Sequence, residues 1–289
     1  MEAERPKALP RNFLAQSWVG FGYPLRALGV MRRHRLWKLA MAAVGINVLL
    51  LAALLTLSVW YVLPILQQID GSLAASGASE LWQSVATILR WLFWAFAIVV
   101  VLGLNGVALM LVGQAVASPF LDMLSERVET LVLGVEPEAF SVRRAIEGVL
   151  LAVADLLWGL FYYVVVQLLI LILGLVPVLG TVPATALSFG FSALLLAQEF
   201  SGLPLARKLV SYRSRWLVVW ENKWLAVGFG ASAMAMLLVP LVNLVLLPVA
   251  AVAGTLLYCD LVAGGRLGDL VSPKLASGAN AAVPPQNAE

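Results

Sequence analysis

The chain has 289 residues, of which 62% are hydrophobic and 12% charged, with a mean hydropathy of +0.93. A soluble domain carries about twice that share of charge, so the solvent this chain is built for is lipid. Its apolar runs are continuous rather than alternating, which excludes a β-barrel and leaves a polytopic, all-α integral membrane protein. The net charge is +3, and the cations sit beside apolar segments. That pattern reads as topology and not as nucleic-acid affinity. A single cysteine, Cys259, and a single histidine, His34, exclude a disulfide framework and a cysteine-based metal site. No cofactor or metal is expected.

In chain order, residues 1–17 are polar and proline-broken and read as a disordered tail. They lack a short apolar core with a small-residue cleavage site, so no cleaved signal peptide is expected. Residues 18–269 read as one membrane domain. Its first segment, 18–31 (WVGFGYPLRALGVM), is aromatic and mildly amphipathic, suited to the headgroup region. A basic cluster follows, Arg32, Arg33, His34, Arg35 and Lys38. A charge-free run over 39–69 predicts one long helix, with Trp60 and Tyr61 in an interfacial aromatic belt. The linker 67–81 carries Asp70 and Glu80 but no cation. A second long helix is predicted over 82–117, with Arg90 near its start, and Asn105 and Gln114 along it.

The character changes at 118–133 (SPFLDMLSERVETLVL). Ser118 is placed to cap a helix and Pro119 to occupy its first position. Phe120, Leu124, Val128 and Leu131 recur at helical spacing, with Asp122, Ser125, Glu126 and Glu129 opposite, so a surface helix is predicted. A turn at 134–140 leads into an amphipathic helix over 141–155, where Asp155 is expected to pair with nearby cations.

Two long apolar runs follow, 156–198 and 225–259, each far longer than the 20 or so residues one spanning helix needs. Each holds a proline-bracketed stretch, LVPVLGTVP at 175–183 and LVPLVNLVLLP at 238–248. An interior proline removes a backbone donor and clashes with the preceding turn, so both runs are predicted to fold back as proline-kinked, partly penetrating hairpins. Their tips are placed at Pro177, Gly180, Thr181 and Pro183, and at Pro240, Asn243 and Pro248. Halving the second run gives legs of about 17 residues, or about 25 Å, against a hydrocarbon core of about 30 Å. Each hairpin ends in an acid, Glu199 or Asp260, which reads as a weak internal repeat. Between them, 201–224 is a polar excursion with Arg207, Lys208, Arg213, Arg215 and Lys223. Residues 270–289 are Gly-, Ser- and Pro-rich and read as a second disordered tail. The cationic clusters share one side if 67–81 alone faces the other, which places both termini in the cytoplasm.

Three stretches carry a family resemblance: GFGYPLRAL with its following basic turn and Asn47, then ASPFLDMLSERVE, then PLVNLVLLPVAAVAGTLLYCD. From Gly20 to Asp260 the sequence resembles the CysZ sulfate-permease family of bacterial inner membranes, within the etoposide-induced-protein-like superfamily. The resemblance implies two long transmembrane helices, two partly penetrating hairpins, a homo-oligomer and passage of sulfate into the cytoplasm. It also implies an arginine pair that binds sulfate ahead of the first long helix. Counting back from Asn47, the pair's positions fall on Trp37 and Lys38, while the doublet Arg32–Arg33 follows Gly29 several residues upstream.

A divalent oxyanion entering a membrane protein needs cations and backbone N–H groups in place of water, and the planar fork of arginine binds two oxygens at once. The candidate anion site is therefore Arg32, Arg33, Arg35 and Lys38. The alternative reading of the same residues is orientation and contact with anionic lipid. Helix ends at the hairpin tips offer a second anion locus. Their alternative is simple turn-making, with Asn243 as a cap. No Walker A loop, paired carboxylates or Gly-x-Ser-x-Gly elbow is present, so no enzyme is expected. The two functions in view are an anion permease, with sulfate or a related oxyanion and lipid as partners, and a non-transporting scaffold docking partners through 118–133.

Overall fold

A computed structural model describes residues 4–74, 80–135, 142–176, 180–238 and 240–267. Side chains are described throughout these ranges except at 72–74, 80–84, 110–111, 114–115, 142–153, 156 and 240–245. The tail 270–289, Pro177 and residues 136–140 of the turn predicted at 134–140 lie outside the described residues. Every regular element among the described residues is a helix: α1 Phe13–Phe21, α2 Tyr23–Arg33, α3 Trp37–Leu57, a π-helical turn Ser58–Val62, α4 Leu63–Ala74, α5 Glu80–Leu133, α6 Val142–Gly174, α7 Thr181–Ser201, α8 Leu203–Arg207, α9 Tyr212–Glu221, α10 Lys223–Leu237 and α11 Pro240–Ala263. Five spans are long and apolar enough to cross a bilayer by length and composition: Trp37–Gly71, Val85–Leu109, Leu157–Gly174, Thr181–Ser201 and Leu246–Ala263. The protein is an all-α, multi-pass membrane protein.

The chain divides into two compact units, Met1–Ala40 with Phe120–Glu289, and Met41–Pro119. In the second unit the long helix widens into the π turn just before Pro64. A proline there has no N–H to give and crowds the carbonyl of Trp60, and a wider turn relieves both. The buried Asn105 amide of α5 donates to Ser58 Oγ at 2.8 Å and to Val101 O at 2.8 Å, so it bonds across helices. Arg90 donates to Asp70 Oδ2 at 2.5 Å. The second long helix does not end near residue 117. It continues through Pro119 to Leu133 as α5, so Ser118 and Pro119 do not begin a separate helix.

In the first unit α11 is central. Its span Leu246–Ala263 is 83% buried, whereas none of Leu157–Gly174 is. The difference is in the side chains. Lipid tails are as apolar as leucine, so helices in a bilayer associate by close packing, and small residues allow it. Ala250, Ala251, Ala253 and Gly254 put α11 within such reach, and a Cβ on Gly254 would lie 2.4 Å from the Phe200 backbone. The same device joins the other pairs. A Cβ on Gly228 of α10 would meet Ser17 O of α1 at 2.0 Å, and one on Gly230 would meet Ala193 O of α7 at 1.8 Å.

The two proline-rich stretches do interrupt helices, since α6 ends at Gly174 before α7 starts at Thr181, and α10 ends at Leu237 before α11 starts at Pro240. Pro248 is a correction. It lies inside α11 and is buried, not at a tip, because a proline in a helix walled by other helices breaks it less readily than in water. The legs are accordingly unequal, 15 residues for α10 and 24 for α11. The N-terminus differs too. Helix α1 begins at Phe13, and residues 4–10, read as tail, have no regular structure but hydrogen-bond into the fold.

Gly230→Val tests the backbone contact. It forces α10 from α7 and is expected to cost about 1–3 kcal/mol, read as a lower melting temperature of the detergent-solubilised protein. Gly190→Ala, where a Cβ meets nothing within 4 Å, leaves that temperature unchanged or raises it.

Candidate functional site

Two buried acids organise the polar groups of the first unit. Asp260, on α11, has no exposed surface. Tyr23 Oη donates to its Oδ2 at 2.7 Å, Arg26 Nη1 to the same oxygen at 2.5 Å, and the backbone N–H of Lys7 to Oδ1 at 2.8 Å. Tyr23 and Arg26 stand three apart on α2, so one helical face delivers both. Burial and the Asp260 carboxylate push the Tyr23 hydroxyl far above its ordinary value, so it stays a proton donor.

The second node is Glu129. Read from sequence as the outer face of a surface helix, Glu129 and Ser125 are instead buried, because cations at the end of α8 close over them. Arg207 Nη2 donates to Glu129 Oε2 at 3.0 Å and to Ser125 Oγ at 3.1 Å. Lys208 Nζ bonds Glu129 Oε1, and donates to Tyr258 Oη at 2.9 Å. Thr255 Oγ1 donates to Ser125 Oγ at 2.8 Å. Burial by itself would lower the Lys208 pKa, but the Tyr258 hydroxyl and the Glu129 carboxylate outweigh it, and the group stands above its ordinary value. A third pair joins Arg215 of α9 to Asp155 of α6, as expected for Asp155.

The predicted anion residues lie elsewhere, on the turn from α2 into α3. Arg32, Arg33, Arg35 and Lys38 are all exposed, within one turn of chain. The α2 C-terminus closes with Leu36 N–H bonding Met31 O at 3.0 Å, and buried Leu36 anchors it. Arg35 takes the left-handed position, with φ +55°, where helices ordinarily place glycine. Lys38 sits in the first turn of α3, whose opening N–H groups carry positive partial charge. Among the described residues Arg32, Arg35 and Lys38 make no ion pair, whereas Arg33 Nη1 lies 3.9 Å from Glu4 Oε2.

The hairpin-tip residues do not gather with this turn. Gly180 is buried where a Cβ would strike Leu173 O at 2.0 Å, which is a packing reason for glycine. Thr181 and Pro183 are exposed in the first turn of α7. Pro240 and Asn243 lie in the first turns of α11, with side chains outside the described ones. A groove of about 520 Å³ between α6 and α7, lined by Val166, Leu169, Leu187, Phe191 and Trp220 among others, is apolar and offers an anion nothing. Among the described residues no His, Cys, Asp or Glu cluster could hold a metal.

Residues 23–248 match the family model described as Sulfate transporter CysZ/Etoposide-induced protein 2.4. The chain belongs to this family. The match begins at Tyr23, on the face of α2 that holds Asp260, and covers the basic turn and both proline-rich helix breaks. The family's description is that of a transporter. Sequence reasoning did not assign Arg26, Glu129, Arg207, Lys208 and Tyr258 to any site. The signal available was Asp260, an acid closing a charge-free run, since a charge at that depth demands a partner.

Two measurements check this geometry. Lys208 has a folded pKa above its free value near 10.5, so its pairing contributes fully below that pH and is lost as pH rises through the folded value. Lys208→Met should therefore lower stability by about 1–3 kcal/mol at pH 7–9, with the gap to wild type closing only above pH 10.5 in a melting series. Arg35→Gly should melt at or above the wild-type temperature, while Arg35→Val loses about 1–2 kcal/mol. That contrast separates the backbone role of residue 35 from its charge.

Proposed function

We propose that this protein is an inner-membrane anion permease that takes sulfate, or a related oxyanion, into the cytoplasm. The observation that carries the reading is the division of the cations. Arg26, Arg207, Lys208 and Arg215 are each held by a buried or half-buried carboxylate, while Arg32, Arg35 and Lys38 are exposed and make no ion pair among the described residues. Free cations crowded at the opening turn of a 21-residue helix repel one another, and a divalent oxyanion relieves that repulsion with charge-assisted hydrogen bonds. The family's description as a sulfate transporter supports the choice of substrate class. On this reading α6–α7 and α10–α11 are hairpins entering the bilayer from the cytoplasm, both termini are cytoplasmic and the protein is a homo-oligomer in a bacterial inner membrane. The distribution of lysine and arginine along the chain supports the orientation.

The scaffold reading keeps one observation in its favour. Arg26, Arg207, Lys208 and Arg215 of the first unit are each engaged by an acid, as a packed, non-conducting interior would have them.

Sulfate flux into proteoliposomes separates the two. The permease reading expects uptake above protein-free vesicles. The triple variant Arg32→Gln, Arg35→Gln, Lys38→Gln should lose about tenfold or more, since each lost bond to an anion is worth about 1.5–3 kcal/mol. Uptake equal to empty vesicles overturns the permease and leaves the scaffold.

A further inference from the structure

Helices α6 and α7 do not close fully against one another. Ser188 Oγ donates to Gln167 Oε1 at 3.3 Å across the pair, yet the apolar groove of about 520 Å³ stays open between them, lined by Leu169, Leu173, Leu187, Gly190 and Phe191. From Ala186 to Leu194 it follows α7 for about 12 Å. Trp220 of α9 and Val227 of α10 wall it as well. The joint between α9 and α10 is the buried Asn222. Its N–H bonds Val218 O at 3.2 Å and its carbonyl accepts from Ala226 N–H at 3.0 Å, so it closes one helix, opens the next and fixes Trp220 and Lys223 on either side. Lys223 is exposed, and its ammonium stands 5.8 Å from the ring centres of both Trp220 and Trp224. Those rings attract the charge without neutralising it. Lys208, by contrast, is matched by Glu129. Among the described residues no acid pairs with Lys223, its neighbour Glu221 included.

We infer that this corner of the protein is a seat for one anionic phospholipid, with an acyl chain in the α6–α7 groove and the phosphate on Lys223. Trp220 makes the two halves one site, since it walls the groove and carries the ammonium. The halves act differently. A groove facing hydrocarbon is filled by a chain, because an empty one forfeits its dispersion contacts, but every phospholipid has a chain to offer. Selection therefore falls to the charge, where one lysine favours an anionic over a zwitterionic headgroup by about fivefold. Tryptophan and lysine at one end with apolar side chains beyond is the order in which a headgroup and its tail meet a membrane protein. A chain lodged there packs on both α6 and α7. It thereby joins α6, none of whose span Leu157–Gly174 is buried, to the rest of the unit. The seat does not depend on the function proposed above, since a permease and a scaffold hold the same lipid by the same contacts.

The test uses the full-length protein, stripped of lipid in detergent and read by native mass spectrometry against phosphatidylglycerol and phosphatidylcholine of equal chain length. Wild type should retain its first phosphatidylglycerol at about fivefold lower lipid concentration than phosphatidylcholine. Lys223→Gln should abolish that preference, and Lys223→Arg should keep it. Gly190→Leu puts a side chain into the groove at a position where a Cβ meets nothing within 4 Å, and should weaken retention of both lipids. Free glycerol phosphate should not displace the lipid. Equal retention of the two lipids by wild type, or a preference that survives Lys223→Gln, overturns the seat. So does undiminished retention in Gly190→Leu, or displacement by glycerol phosphate, since either leaves a headgroup contact with no chain in the groove. A lipid-free dimer that Gly190→Leu breaks apart gives the groove to a second copy and overturns the seat too. Lys223 is exposed, so its variants carry the test if Gly190→Leu fails to fold.

Discussion

A carboxylate with no exposed surface is tolerated only when its charge is matched and its lone pairs are filled. Asp260 meets that condition with a guanidinium, a phenol and a backbone amide drawn from α2 and the N-terminal segment. Breaking such a pair by deleting one partner costs about 3–5 kcal/mol, because the survivor is left charged and unpaired. The acid therefore fixes where α2 and residues 4–10 lie against α11. Glu129 does the same on another side of that helix, tying the end of α5 and the Arg207–Lys208 turn to Tyr258. Apolar burial offers little drive between helices in lipid. These charges and the glycine and alanine contacts of α10 and α11 supply what burial does not.

The same physics sorts the basic residues into two kinds. A buried cation is committed, since leaving its acid would strand two charges in a poor dielectric. An exposed cation beside other cations is uncommitted and gains from any anion that arrives. Arg26 belongs to the first kind, Arg32, Arg35 and Lys38 to the second, and Arg33 stands between them through Glu4. Helix α2 carries both populations because its face toward α11 and its exposed C-terminal end are different solvents. The function proposed for the protein lives on that boundary, and the fold holds it in place from below through Asp260.

Some of this was legible without coordinates. Charge-free runs, an all-α membrane class, helix breaks within 175–183 and 238–248 and the basic cluster follow from composition and spacing, which are local properties, while the family was read from its resemblance in three motifs. Hydropathy counts side chains along the chain, and lipid enforces the result. The sequence also marked Asp155 as a paired acid, and Arg215 partners it.

What it did not decide were the questions whose answer lies on another helix. Pro119 and Pro248 read as helix boundaries and are helix interior; for the buried Pro248, the helices around it and not the residue itself decide whether the helix breaks. Glu129 and Ser125 read as an outer face and are buried, because Arg207 and Lys208 arrive from about 80 residues away. Residues 4–10 read as tail by composition, yet their backbone is an obligatory donor to Asp260. Polarity along a sequence tells which groups need partners. Only the tertiary structure says which partner each one meets, because partner choice is made by distances across helices that no periodicity records.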